Sequence, residues 1–217
     1  FVDKVLIGDC GMTSWGREIA KRYSAKIFAT KNPIEHGFDA ARNDLLTHAD
    51  TDWIFWMDSD EKLLNGQAIA KYLRRNCHVG YSIRQHHFSV DAGFQPDMPV
   101  RLFRREGWKG KPMQFIGRIH EHPELGINEG PGPVVILGDV HIAHVGYLDE
   151  PVRRLRFARN HPLLKKDIED YPDRLLQKHF IIRDNMLLCG YEYTRNGGRV
   201  TPEMCDRAEE VVRLYRE

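Results

Sequence analysis

Hydrophobic positions along the chain fall into two regimes. In the first half, short apolar runs alternate with segments whose apolar residues recur every three or four positions, the mark of strand followed by helix. Val2 to Asp9 reads as a strand closing on an acid, Cys10 to Ser14 as a turn, Trp15 to Tyr23 as an amphipathic helix and Ala25 to Ala29 as a second strand. Thr30 to Gly37 contains Asn-Pro, a turn signal. From Phe38 a helix places Leu45, Leu46 and Ala49 at helical spacing after Ala41. Trp53 to Met57 is an unbroken apolar run, the pattern of a central strand covered on both faces. Strands alternating with helices at this spacing predict a parallel α/β sheet with right-handed crossovers.

Beyond that run the pattern changes. Asn65 is placed to cap a helix running to Arg75, with Ile69, Tyr72 and Leu73 inward. Val79, Tyr81 and Ile83 alternate with polar residues, and further short strands are expected at Val100–Phe103, Gln114–Ile119, Val134–Leu137 and Val140–Val145. This half is therefore expected to be antiparallel or mixed. From Asp149 the chain reads as helical, with Pro162 either kinking a helix or restarting one capped by Asn160. Asp173–Leu188 and Thr201–Tyr215 are two more amphipathic helices. The arginines at 153, 154, 156 and 159 are either a phosphate site or an ordinary solvated helix face.

Composition narrows the class. At 217 residues and 41% apolar, the chain can build one good-sized core with a helical appendage. Basic and acidic residues nearly cancel, 32 against 31, so nothing marks a general binder of nucleic acid or membrane surface. No apolar run approaches the roughly 20 residues of a membrane span, and the start lacks a signal-peptide layout. Four dispersed cysteines without a C-x-x-C pair suit free thiols in a reducing cytoplasm, the expected location. The first residue is Phe and the strand begins almost at once, so the expectation is a chain that starts inside a domain with an upstream strand missing.

Candidate chemistry concentrates after the tryptophan-rich run, at Asp58, Ser59, Asp60 and Glu61. In open α/β sheets ligands bind beyond the carboxyl ends of the strands. Carboxylates gathered there repel one another and need a cation nearby. Two aspartates in D-x-D spacing are hard oxygen ligands, suited to Mg²⁺ or Mn²⁺ shared with substrate phosphates. The same residues are also ordinary turn and cap residues. His141 and His144 point to opposite faces of a strand, whereas His120 and His122 share one. His86 and His87 read as loop or edge residues, and Trp108 and Phe115 as either an acceptor groove or core.

Taken together, DKVLIGDCGMTSWGREIAKRYSAKIF, FDAARNDLL, DWIFWMDSDEKL, VRLFRR with W-x-G, IHEH and HVGY resemble a family 2 glycosyltransferase of the GT-A fold, in the family's order, along most of residues 2 to 170. The resemblance implies an α/β, Rossmann-like GT-A fold, a mostly parallel sheet with a mixed second half, plus C-terminal helices. It implies a GT-A domain over 1–148, lacking the family's first strand, and a helical extension over 149–217. The implied activity is hexosyl transfer from a nucleotide-sugar donor, UDP-linked, with inversion and with Mn²⁺ or Mg²⁺. The acceptor is open: glycan, lipid, protein or a modified nucleic-acid base.

Carried onto this sequence, the resemblance assigns Asp9 to the nucleotide base and Arg42 to the nucleotide and its diphosphate. Asp58 falls to the ribose or the metal, and Asp60 to the metal. Glu121 is the acceptor-side carboxylate and catalytic base, with a salt bridge to Arg118 or Arg101 as its alternative role. His144 or His120 completes the metal site. Two departures stand out: the first strand ending in Asn-Glu is absent, and Cys-Gly-Met-Thr-Ser follows Asp9 where the family more often has Gly-Ser-Thr-Asp. Other readings of D-x-D are an inactive nucleotide- or partner-binding module and a phosphohydrolase with Asp58 as nucleophile. Glu61 and Lys62 after Asp60 do not fit the phosphohydrolase pattern.

Overall fold

In a computed structural model of the chain, the residues described are 2–74, 78–89, 96–107, 110–124, 134–147 and 150–216. Arg75, Trp108 and the side chains of Arg153 and Arg154, named above, lie outside them, as does Cys77, one of the four cysteines. The chain divides into two compact units, Phe1–Arg153 and Arg154–Glu217.

The first unit opens with β1 (Leu6–Asp9), α1 (Ser14–Arg22) and β2 (Lys26–Ala29), and β1 and β2 pair in parallel. Thr13 starts α1 by accepting the amide of Gly16, a cap that satisfies one otherwise orphaned donor. Two short helices follow, α2 (Pro33–His36), started by Asn32 and Pro33, and α3 (Phe38–Leu46). Then come β3 (Trp53–Phe55), β4 (Glu61–Leu64), a 3-10 turn at Gly66–Ala68 and α4 (Ile69–Leu73). The unit ends with β5 (Gly80–Ser89), β6 (Val100–Arg104), β7 (Gln114–Ile116), β8 (His122–Glu124) and β9 (Val134–Tyr147).

Five of these strands form one sheet in the order β3-β6-β5-β9-β4, in which only β5 and β9 run parallel. The architecture is thus mixed α/β. The run at Trp53 forms a short edge strand rather than a central one: among the described residues β3 pairs only with β6, antiparallel, and its residues are half-buried. An apolar run reports burial by side chains and says nothing about which backbone edges are paired. Asn65 is not a helix cap. It has φ of 57° and its Nδ2 donates to the carbonyl of Asp139 at 2.7 Å, tying the end of β4 to β9.

Period-2 alternation lets one strand feed two cores. Leu102 joins Ile69, Tyr81, Ile83, Leu137, Val140 and Ile142, while its neighbour Phe103 joins Val79, Met113 and Phe115. Three irregularities break that alternation, one of them between His87 and Ser89 at the end of β5. Along β5, Tyr81 pairs with Leu102 and Ser82 with Val100, so β6 carries Arg101 as an extra residue. Ile83 pairs with Leu137 and Arg84 with His141, so β9 carries Gly138, Asp139 and Val140 as extras. This insertion makes one strand of the two expected at 134–137 and 140–145.

The second unit holds most of α5 (Glu150–Asp170) together with α6 (Leu175–Arg195) and α7 (Pro202–Arg216). Pro162 does not restart a helix: α5 runs through it. The next two residues, Leu163 and Leu164, are almost fully buried and hold that turn in place. The buried Asp167 accepts from Arg174 and Gln177, and Glu210 gathers His161, Lys165 and Asn185.

Candidate active site

Helix α3 organises the site from one side. The amide of Asn43 is matched to the backbone of Phe115, donating to its carbonyl at 2.9 Å and accepting its N–H at 2.8 Å. One turn earlier, Phe38 N donates to Arg118 O at 2.8 Å. Gly37 permits that approach: its φ is +102°, and a Cβ there would lie 3.0 Å from Arg118 Cα and 2.4 Å from Asp39 Oδ1. These two tethers bring the segment after β7 back across α3. Glu121, close behind the left-handed His120 (φ 51°), reaches Arg42.

Arg42 is the hub. Its Nη2 donates to Asp58 Oδ1 at 2.8 Å and its Nε to Glu121 Oε1, so one guanidinium joins the acid after β3 to the acid before β8. Burial opposes its charge, but the two carboxylates outweigh that and push its pKa further up. The guanidinium lies 4.0 Å from the centroid of the Trp56 ring, whose Nε1 is anchored on Val100 O at 3.0 Å. Glu121 itself is only 8% exposed. Its partner is Arg42, not Arg118 or Arg101.

A second arginine supports the turn from below. Arg101, the extra residue of β6, also lies over Trp56, at 3.7 Å. Bulges commonly re-aim a side chain beside an active site, and this one directs Arg101 into the unit, leaving it 4% exposed. Its Nη2 donates to Glu61 Oε1 at 2.5 Å and its Nη1 lies 3.8 Å from Asp58 Oδ2. Glu61, its side chain buried, also accepts from Gln85 and, through Oε2, from the backbone N–H of Asp58 at 2.8 Å. Burial pushes the Glu61 carboxyl up and the Arg101 guanidinium down, each opposed by the other's charge. Glu61 is therefore a brace for the D-x-D turn and not a third member of a cation-binding trio.

Asp60 looks the other way. Its Oδ2 lies 3.2 Å from His144 Nε2, and the backbone joins them as well, Val145 N donating to Asp60 O. His144, 6% exposed, sits on β9 between Glu61 of β4 and His87 of β5. Its Nδ1 is 2.8 Å from His87 Nδ1. Burial, and next the nearby His144, lowers the His87 pKa to about 4. His86 and His141 form a separate pair at 3.1 Å. Both His86 and His87 thus belong to a central strand, not to a loop or edge.

The remaining candidates have other partners. Asp9 is occupied in its own turn, accepting from Gly11 N at 2.9 Å and Met12 N at 2.7 Å and pairing with Arg17, and these bonds hold its carboxyl below the usual range. His120 occupies a left-handed bend, so the alternation expected to set it beside His122 does not operate there. Phe115 is core, 3% exposed and edge-on to Trp56 and Phe103. A cavity of about 180 Å³ borders Arg42, lined by Leu6, Leu45, Trp53, Trp56 and Phe115. Sites for whole ligands span roughly 300–1,000 Å³, so this cavity is too small for a complete sugar nucleotide.

A hard divalent ion suits the donor set of Asp58, Asp60 and His144. Adjacent ligands of an octahedral ion with bonds of about 2.1 Å sit about 3 Å apart, close to the 3.2 Å between Asp60 Oδ2 and His144 Nε2. Asp58 is turned to Arg42 instead. Among the described residues no three His, Cys, Asp or Glu side chains converge as a ready cage. The residues fit such an ion as a pair, with further positions left to other ligands.

Sequence comparison adds two findings. No curated protein matches the chain. Residues 3–130 match the family model described as Glycosyl transferase family 2.

Proposed function

The chain belongs to glycosyl transferase family 2, and from that premise we propose that it transfers a hexosyl group from a UDP-sugar to an acceptor hydroxyl, with inversion and with Mn²⁺ or Mg²⁺. Glycosyl transfer in general follows from the family; the donor, the metal and the stereochemistry are our reading. The observation that carries it is Arg42, which joins Asp58 and Glu121 through one fork. With Asp58 taken as the donor-side acid and Glu121 as the acceptor-side acid, the two stand about one guanidinium apart, which supports a single displacement at one carbon.

In this reading Arg42 meets the donor's diphosphate, for which its planar fork is well shaped. Asp60 and His144 would hold the divalent ion, joined by Asp58 once it is released from Arg42, and the ion when bound would offset charge on the departing diphosphate. Glu121, held nearly buried beside Arg42, accepts the proton of the attacking hydroxyl on the opposite face of the sugar. Glu61 and Arg101 keep the Asp58 backbone in place throughout. Asp9 stays with the nucleotide end, and the free thiols of Cys10, Cys189 and Cys205 accord with a cytoplasmic setting. No helix among the described residues is long and apolar enough to cross a membrane. The acceptor, whether glycan, lipid, protein or a modified nucleic-acid base, is left to experiment.

One observation favours a second reading, a module that binds nucleotide without turnover: Asp58 is already engaged by Arg42 and lies near Arg101. Donor hydrolysis across a panel of sugar nucleotides with Mn²⁺ separates the two. The enzyme reading expects turnover with a UDP-sugar that disappears in Asp60→Ala. That variant should keep the wild-type melting temperature without ligand, since Asp60 is partly exposed. Nucleotide-induced stabilisation without Mn²⁺ dependence, and no hydrolysis of any donor, supports the module.

A further inference from the structure

The ring nitrogens of His87 and His144 make a demand that the proposed chemistry has not yet used. Two Nδ1 atoms 2.8 Å apart share one proton, so one ring donates and the other accepts. At the far end of His144, Nε2 lies 3.2 Å from Asp60 Oδ2. With the proton on His144 Nε2, that edge donates to Asp60 and Nδ1 must accept from His87. With the proton on His144 Nδ1, the ring donates to His87 and presents an Nε2 lone pair toward a carboxylate oxygen, an arrangement that a cation between them stabilises.

We propose that His87 is a positioning residue for cation binding, taking the hydrogen bond from His144 Nδ1–H so that His144 Nε2 turns its lone pair to a cation beside Asp60. This rests on the reading of Asp60 and His144 as the metal-holding pair. The exchange conserves charge. His144 gives up its Nε2 proton to solvent, receives the Nδ1 proton of His87, and His87 takes a proton at its own Nε2. Both rings are neutral before and after. A partner at the far nitrogen also fixes ring orientation and raises ligand basicity, and loss of such a partner typically weakens metal binding about 10–100-fold.

The pairing is built by the sheet and not by chance proximity. Without the three extra residues Gly138, Asp139 and Val140, the parallel ladder would set His141 opposite His87; with them, His144 stands there. The same register places Glu61 on the other flank of His144, so the ring is bounded on both sides by neighbouring strands.

The test is Mn²⁺ binding to the full chain at neutral pH, by titration calorimetry and by the loss of the free-ion electron paramagnetic resonance signal. Four variants are compared: His87→Leu, His87→Asn, His144→Ala and Asp60→Ala. Asn puts an amide oxygen near the place of His87 Nδ1, where it accepts from His144. The expected result is a 10–100-fold weaker affinity in His87→Leu, near-wild-type affinity in His87→Asn, and no measurable binding in His144→Ala or Asp60→Ala. Unchanged affinity in His87→Leu alongside lost binding in His144→Ala overturns the role of His87. Equal weakening in His87→Leu and His87→Asn, with lowered melting temperatures before metal is added, also overturns it by showing a packing role. Wild-type affinity in His144→Ala and Asp60→Ala removes the metal site itself.

Discussion

Replacing Arg101 with Met tests how the D-x-D turn is held. The Glu61 side chain is buried, and its oxygens are met by Arg101 Nη2 and Gln85 Nε2 at 2.5 Å and by Asp58 N at 2.8 Å. Met fills comparable space but leaves a buried carboxylate with neutral donors only. Breaking a buried pair in this way costs about 3–5 kcal/mol. For a unit of this size each kcal/mol moves the melting temperature by about 2–4 °C, so the expected drop is roughly 6–20 °C. The pH dependence is the sharper signature. Burial already raises the folded-state pKa of Glu61, and losing the Arg101 charge raises it further. A carboxyl of this kind contributes most below its ordinary pKa, and that contribution is lost as pH rises through the folded value. The deficit of Arg101→Met should therefore be largest at neutral pH and shrink on acidification toward the ordinary carboxylate range. Urea unfolding followed by circular dichroism at several pH values measures it, and the double variant Glu61→Gln/Arg101→Met should recover much of the loss. A deficit below about 1 kcal/mol, or one equal at all pH values, refutes the reasoning.

Three further outcomes follow from named contacts. Glu121→Gln should lower turnover by about 10²–10⁴ while donor KM changes little, because Arg42 keeps Asp58; unchanged kcat in donor–acceptor assays would remove Glu121 from the mechanism. Gly37→Ala forces a Cβ against Arg118 in a backbone region that side chains avoid. It should cost about 1–3 kcal/mol in chemical denaturation, and a neutral result would show that the tether to Arg118 is dispensable. Pro162→Ala restores an N–H inside α5 and should stabilise the chain by up to about 3 kcal/mol, read as a higher melting temperature; a lower one would mean that Pro162 makes a contact worth more than the missing hydrogen bond.

How far the site could be read from the residues depended on whether each contact is local. Asp58, Asp60 and Arg42 stand out because a strand end and a helix face are local patterns, and Glu121 follows from its motif. Arg101 and His87 do not stand out, because each acts through a bulge. A register shift leaves no mark in hydrophobic periodicity, and a one-residue slip moves a side chain to the other face. The glycine and acid at Gly138-Asp139 were the one available hint, since glycine inside a strand pattern signals a bulge. Asn43 was visible only as the neighbour of Arg42, although its amide fixes the strand that delivers Glu121. The apolar run at Trp53 suggested a central strand because composition cannot distinguish a paired edge from a free one.

Trp56 lies against both guanidiniums, Arg42 and Arg101, with its own N–H anchored. An indole in that position is a built-in optical gauge, because a cation over the ring perturbs its excited state. Any occupant that draws Arg42 toward phosphate lifts one of the two charges off the ring, and the emission of this residue changes with it. Filling of the site can then be followed as the part of the emission that Trp56→Phe removes, without label or coupled assay.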